Sequence, residues 1–256
     1  MRLPLAAIML FALCSSAQAE PSPEDTPPEA SRQVSVSGTR DPDWKPYRKM
    51  LAGMDAFEHY HSLAPQAELK FILRPQQADL TVAGLKLAIL GNNVSIEVPI
   101  APDYTFSLPR DDAAAKDDAD VQLSSKKGLF RWRPDIHTPG LAAGTRRLGD
   151  LRLECEVRWA VDKFDSSFLQ LAYLLPLGGA CHTSRSRIFY ASSAPITGVT
   201  LVSNSRRESL PAERLNQKDH TRYAPPLHDT SWPDDTLLEF EFMVPAKGTV
   251  AGTMAR

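Results

Sequence analysis

Apolar and polar side chains alternate along several short segments of this chain, and a period of two predicts β-strands. The clearest alternation runs through residues 150–162, where apolar residues occupy every second position. These are Leu151, Leu153, Cys155, Val157, Trp159 and Val161. A strand would turn all of them towards a core and leave the intervening Arg and Glu residues on a wet face, because successive side chains of a strand point to opposite sides. The sequence therefore predicts a strand over residues 150–162.

The same alternation recurs between Pro65 and Leu108, in three or four short segments joined by turns of Gly, Asn and Pro. Such a succession predicts an antiparallel meander. Further strands are predicted at residues 130–134, 188–191, 199–202 and 237–244. The 21 prolines suit an architecture with many loops, since proline occupies turns and sheet edges. The predicted fold class is mainly β, with one or two antiparallel β-sandwiches.

Two segments predict helices instead. Residues 43–63 carry apolar residues at three- and four-residue steps, which draws one amphipathic stripe along a helix. The stripe consists of Tyr47, Met50, Leu51, Met54, Phe57 and His61. Pro65 ends this run, and residues 168–175 predict a short second helix that Pro176 ends. We expect the N-terminal helix to cover the core, with partner binding as the alternative.

Residues 110–128 are rich in aspartate and predict a solvated excursion between strands. A calcium-binding loop would need acids at alternate positions around a central glycine, and this segment shows neither feature. The prediction is an exposed connection that holds no metal.

The first 19 residues have the pattern of a cleaved secretory signal peptide. Arg2 precedes an apolar stretch over residues 3–13, and Ala17 and Ala19 supply the small residues that signal peptidase requires. A lipoprotein signal at Cys14 is the alternative, but its flanking residues match poorly. We expect cleavage near Ala19, a periplasmic or secreted protein, and no transmembrane segment after cleavage.

The chain is predicted to divide into five parts. A signal peptide (1–19) precedes a disordered leader (20–42) that is rich in proline and acids and poor in large apolar residues. Residues 43–140 contain the helix and a first β-sandwich-like unit, and residues 141–245 form a second β-rich unit. Residues 246–256 are predicted to be a flexible tail.

Two cysteines, Cys155 and Cys181, remain after signal cleavage. An even pair in an oxidising compartment predicts a disulfide, and two buried free thiols are the alternative. By the loss of loop entropy in the unfolded chain, such a disulfide would raise the free energy of unfolding by about 3 kcal/mol.

Charge and motifs exclude several function classes. A formal net charge of −2 argues against nucleic-acid binding, which needs a concentrated basic field. The six histidines lack the spacing of a helical zinc site, and no Gly-x-Ser-x-Gly elbow occurs. The sequence therefore predicts no catalytic residue, no cofactor and no metal.

Paired arginines are the remaining candidate for a site. The pairs are Arg131 with Arg133, Arg146 with Arg147, Arg185 with Arg187, and Arg206 with Arg207. If they converged, they would bind phosphate, a lipid headgroup or a glycan, because guanidinium groups bind such anions bidentately, and the first two pairs are the leading candidates. Dispersed solvation of these arginines is the alternative, since acids are interspersed along the chain.

Residues 85–108 combine two short alternating strands with Val98-Pro99, a turn at Asp103 and the hairpin residues Tyr104, Phe106 and Leu108. This stretch resembles carboxypeptidase regulatory-like domains, which have a transthyretin-like or immunoglobulin-like β-sandwich fold. Tyr104 stands where that family has glycine. The layout from Trp44 to residues 231–235 also resembles uncharacterised secreted proteobacterial proteins. The resemblance implies a non-catalytic sandwich module and carries over no active-site residue.

These observations predict a non-enzymatic module with a binding or structural role in the cell envelope, whose partner is an envelope protein or a glycan. A secreted hydrolase with a site built from scattered His, Asp and Arg residues is the first alternative. A small-ligand carrier with a cavity between its sheets is the second.

Overall fold

The computed structural model describes residues 41–243, without the side chains of Phe164 and Phe168. The predicted signal peptide, most of the predicted leader and the predicted tail lie outside the described residues. Within this range 32% of the residues lie in strands and 25% in helices. The chain is mainly β, with several antiparallel sheets. None of the helices between residues 41 and 243 combines the length and apolarity needed to cross a bilayer.

Thirteen short strands build the sheets of the described range. In chain order they are β1 Pro42–Pro46, β2 Glu68–Pro75, β3 Leu87–Leu90, β4 Ser95–Val98, β5 Thr105–Phe106, β6 Asp120–Lys126, β7 Phe130–His137, β8 Thr145–Arg147, β9 Tyr190–Ala191, β10 Ile196–Ser203, β11 Arg206–Ser209, β12 Arg222–Tyr223 and β13 Leu237–Phe242. Two sheets have four strands, in the orders β1-β6-β3-β4 and β11-β10-β13-β8. A third has the order β5-β2-β7, and β12 pairs with β9 alone.

The predicted meander between Pro65 and Leu108 is wrong as a topology. Strands β3 and β4 do form a hairpin, but β2 pairs with β5 and β7, in a different sheet from β3. The partner of β3 is β6, which lies in the segment predicted to be a solvated excursion. Val121 and Leu123 of β6 are fully buried, so that prediction is also wrong. The acids that suggested exposure occupy the preceding turn and α2, Asp112–Lys116, where Asp111 accepts a capping hydrogen bond from the Ala114 N–H.

The largest departure from the sequence prediction is α3, Leu148–Asp162, because residues 150–162 form a helix rather than a strand. Alternation suggested one exposed face, but Glu154 and Glu156 are buried beside Arg146 and His182. A central helix is covered on most of its sides, so its sequence need not show a period of 3.6. The abundance of Leu, Glu and Arg is consistent with a helix, since these residues have high helix propensity.

Three further α-helices precede or follow α3 in the chain. They are α1 Tyr47–His59, α2 and α4 Phe168–Leu174. Helix α1 lies within the range 43–63 that the sequence assigns to a helix, but the first residues of that range belong to β1. Helices α1 and α3 approach closely at Gly53, where a Cβ atom would lie 2.6 Å from Cγ2 of Val161.

Buried apolar side chains form two clusters, and α3 contributes to both. Leu153, Val157 and Val161 pack in the first cluster with α1 and strands β2, β3, β6 and β7. Leu148, Leu151 and Cys155 pack in the second cluster with β10 and β13. The predicted boundary near residue 140 stays a prediction, and one helix joins the two clusters.

Cys155 of α3 and Cys181 form a disulfide, with Cα atoms 5.8 Å apart. The disulfide fixes the segment after α4 against α3. Replacing both cysteines by alanine should lower the free energy of unfolding by about 3 kcal/mol, because the unfolded chain regains loop entropy. Urea unfolding of the variant, beside the wild-type protein with and without dithiothreitol, measures this effect. Equal urea midpoints for oxidised and reduced wild-type protein would contradict the expectation.

Candidate functional site

Two arginines predicted to bind anions share one face of β7. Arg131 and Arg133 are two positions apart, so their side chains leave the strand on the same side. Trp132 points to the other side, where it is buried and its Nε1–H donates to Asp43 over 2.9 Å. In the paired strand β2, Arg74 lies directly opposite Arg131. Like charges opposite each other destabilise a sheet, and Asp135 on the same face of β7 offsets part of this repulsion, since it lies 3.7 Å from Nη2 of Arg74.

Other elements bring more arginines to the same place. Helix α3 supplies Arg158, the segment after the disulfide supplies Arg187, and β12 supplies Arg222. Together with Arg131 and Arg133 they line a cleft of about 380 Å³, which we call the arginine cleft. Among the described residues that line it, Asp162 is the carboxylate. Five guanidinium groups therefore face one cleft with little compensating charge.

Four of the five arginines of the cleft have polar partners, one of which is the carbonyl oxygen of Glu213, 3.4 Å from Nη1 of Arg187. Arg158 lies 3.6 Å from Asp162, and Arg222 lies 3.0 Å from Asp219. Arg133 donates to the carbonyl oxygen of Trp132 over 2.6 Å. Within residues 41–243, neither Arg131 nor Arg133 has a carboxylate at ion-pair distance, so neither charge is compensated by an ion pair in that range.

The pKa of one guanidinium group in the cleft is lowered, first by burial and then by neighbouring arginines. Burial, together with the charge of Arg158, lowers the pKa of Arg133 to about 10. Arg131 and Arg74 lower this pKa as well, whereas Asp162 raises it. A bound anion would relieve the repulsion that lowers the pKa.

A second cleft, of about 480 Å³, shares four of these arginines with the arginine cleft. It adds Arg74 and Arg146, together with the carboxylates of Glu154 and Asp219. Because the shared residues form a common wall, an extended ligand would reach both clefts.

The predicted set of arginines is only partly assembled. Arg146 lines the second cleft, but its Nη2 donates to Glu154 and to the carbonyl oxygen of Ile136, over 2.8 and 2.9 Å. Arg147 donates to the carbonyl oxygen of Leu63 over 2.8 Å and lines neither cleft. The structure thus brings Arg131 and Arg133 together in the arginine cleft, but without Arg146 and Arg147.

Arg158 and Arg222 were missed because neither belongs to a close arginine pair. Arg158 was assigned to the wet face of a strand, and that assignment failed with the strand itself. Arg187 belongs to the pair with Arg185 that the sequence analysis named, and it does line the cleft. Only the fold brings β7, α3 and β12 together, so spacing along the chain carries no information on this convergence.

A different cluster gathers Asp135, His137 and Glu154, whose potential ligand atoms lie within 4.8 Å of one another. His137 Nε2 lies 3.3 Å from Asp135 Oδ1. The carboxylates already face cations, because Arg146 binds Glu154 and Nη2 of Arg74 lies 3.7 Å from Asp135. Two guanidinium groups beside two carboxylates leave little negative charge for a divalent ion, so this donor set fits a metal poorly.

Family models, curated proteins and solved structures were compared with this chain, and no match was found in any of the three. The likeness to carboxypeptidase regulatory-like domains therefore stays a prediction.

Proposed function

We propose that this protein is a non-enzymatic binding module of the cell envelope that holds an anionic group in the arginine cleft. The observation that carries the proposal is the concentration of five arginines around one carboxylate in a chain whose formal net charge is −2. Guanidinium forks bind phosphate, sulfate and carboxylate bidentately, which suits a ligand that displays such groups.

The cost of this arrangement supports a binding role. Burial and the neighbouring arginines lower the pKa of Arg133, and Arg74 lies opposite Arg131, so the charged form of Arg133 is disfavoured in this place. Natural proteins keep locally unfavourable arrangements mainly at functional sites, where a ligand compensates for them.

The disulfide agrees with a location in the periplasm or outside the cell, because such compartments are oxidising. An envelope component that carries phosphate, sulfate or carboxylate groups, on a glycan or on a protein, is the partner that we propose. We retain the transthyretin-like or immunoglobulin-like sandwich as the finer fold assignment, since β2, β3, β6 and β7 share one apolar cluster.

A secreted hydrolase is the second candidate, and the pairing of His137 with Asp135 favours it. Both residues line a cleft of about 530 Å³ that also contains Thr105. The Thr105 hydroxyl donates to Asp103 over 2.7 Å, and the hydrogen bonds from Thr105 lower the pKa of that carboxyl group. A carboxylate with a lowered pKa is a weak general base, so this hydroxyl is poorly activated and binding is favoured over hydrolysis.

Replacing Arg133 by glutamine should weaken binding of inorganic phosphate about tenfold, because a hydrogen-bonded charge contact is lost. The same change should raise the free energy of unfolding by about 1 kcal/mol, because it removes a partly buried charge and relieves its repulsion by neighbouring arginines, part of which solvent screens. Titration calorimetry with sodium phosphate at constant ionic strength measures the first effect, and urea unfolding measures the second.

Arg48→Gln is the matched control, because it removes an exposed arginine that pairs with Asp118 and does not line the arginine cleft. It should leave phosphate binding unchanged. The proposal is wrong if phosphate binds no better than chloride, or if both variants lose binding equally. A destabilised Arg133→Gln variant would contradict the repulsion argument.

A further inference from the structure

The arginine cleft is not polar throughout. Its lining includes Trp159 of α3, Leu174 of α4 and, after the disulfide, Ile188 and Phe189. Phe189 is 39% exposed, so its ring is available to a ligand. Five guanidinium groups and an apolar wall therefore border the same space.

The segment that forms part of this wall carries no charge. Residues 166–181 contain α4 and no Asp, Glu, Lys or Arg, although they border a cleft with five arginines. Gln170 and Leu174 of α4 are four residues apart and both line the cleft. The arrangement separates a cationic side of the site from an uncharged one.

Large apolar side chains on α4 and directly after it are exposed to solvent. Leu169 is 79% exposed, Tyr173 51% and Leu175 54%. Large exposed apolar side chains are unusual when they cluster, and a cluster beside a cleft indicates a binding surface. The Arg185 guanidinium lies over the Tyr173 ring, 5.8 Å from its centroid, which adds a cation next to this apolar surface.

We infer that the ligand of the arginine cleft is a single anionic amphiphile, with its charged group on the arginines and its alkyl chain on Trp159, Leu174 and Phe189. This inference rests on the proposed function, because it specifies the ligand of the same site. The arginines favour an anionic headgroup, and the uncharged apolar wall favours an alkyl chain. Phosphate and carboxylate headgroups share this chemistry, whether the amphiphile is free or belongs to a lipid.

A series of methyl, butyl and octyl phosphate tests the inference, each used below its micelle concentration in titration calorimetry. Affinity should rise about threefold with each added methylene that reaches the wall, because buried hydrocarbon leaves water. Phe189→Ser should flatten this dependence on chain length. Phe242→Ser changes an equally exposed aromatic residue outside the arginine cleft and should leave the dependence on chain length unchanged. Arg133→Gln should weaken every member of the series by a similar factor.

The outcomes separate the two proposals. If no alkyl phosphate binds in a manner that depends on Arg133, the proposed function and the inference both fail. If methyl phosphate binds and octyl phosphate binds no more tightly, only the amphiphile inference fails. Equal binding of neutral octyl glucoside would overturn it as well. Vesicles of phosphatidylglycerol supply the last arm, since binding to them without binding of free octyl phosphate would identify a membrane surface and contradict a single-molecule site.

Discussion

Replacing Arg146 by methionine should lower the free energy of unfolding by about 3 to 5 kcal/mol, because it leaves Glu154 buried without its counter-charge. One oxygen of Glu154 accepts from Arg146 and from the Ile136 N–H, each over 2.8 Å. This carboxylate therefore joins α3, β7 and β8 at a place where its side chain is 7% exposed and that of Arg146 is 11% exposed. Urea unfolding of the purified variant at pH 7 measures the loss.

The loss should depend on pH in a definite direction. Burial raises the pKa of Glu154 above its ordinary value of 4.5, and removal of Arg146 raises it further. A carboxyl group with a raised pKa in the folded state costs stability as the pH rises above 4.5, because it is then ionised without compensation. The difference between variant and wild type should be smallest below pH 4.5 and grow towards neutral pH.

Two further variants distinguish the buried charge from a general effect of losing arginine. Adding Glu154→Gln to Arg146→Met should recover part of the stability, because the uncompensated charge is gone. Arg48→Met removes the same side chain from an exposed ion pair of 2.6 Å with Asp118 and should cost less than about 1 kcal/mol. Similar losses for Arg146→Met and Arg48→Met would show that the buried network contributes little.

The local residue pattern predicts part of this fold correctly, but it predicts a strand where α3 forms. Strands were predicted at β2, β10 and β13, and β2 and β10 bury alternate residues over part of their length, whereas in β13 only Leu238 is buried. The pattern failed in α3 because acidic residues there are buried with partners outside the helix, Glu154 with Arg146 and Glu156 with His182. A residue pattern cannot report a partner that only the tertiary fold supplies.

The same limit applies to the candidate site. The period of two in β7 places Arg131 and Arg133 on one side, and this much follows from sequence. Their convergence with Arg158 and Arg222 depends on how α3 and β12 pack, which no spacing encodes. The disulfide was predictable for a different reason, since an even pair of cysteines in an oxidising compartment leaves one connectivity.

Replacing Gly149 by alanine should destabilise the protein by about 3 kcal/mol, although the residue lies in the first turn of a helix. Helix propensity alone predicts the opposite sign, because alanine in a helix is favoured over glycine by about 1 kcal/mol. At Gly149 the steric overlap of an added Cβ atom costs more free energy than helix propensity contributes. A Cβ atom at Gly149 would lie 2.1 Å from the carbonyl oxygen of Leu63 and 2.9 Å from that of Asp234. Both obstacles are backbone atoms, so no side-chain rotation can relieve the overlap.

Gly198→Ala is the matched control, since its Cβ would meet the exposed Glu241 carboxylate at 2.9 Å, the far end of a flexible side chain. That variant should be near neutral, because Glu241 can move into solvent. Thermal unfolding of both variants gives the comparison. If Gly149→Ala were as stable as Gly198→Ala, α3 would not begin in contact with the chain at Leu63 and Asp234. The hydrogen bond from the Gly149 N–H to the Asp234 carbonyl, 2.8 Å long, would then also be in doubt, because it requires the same close approach.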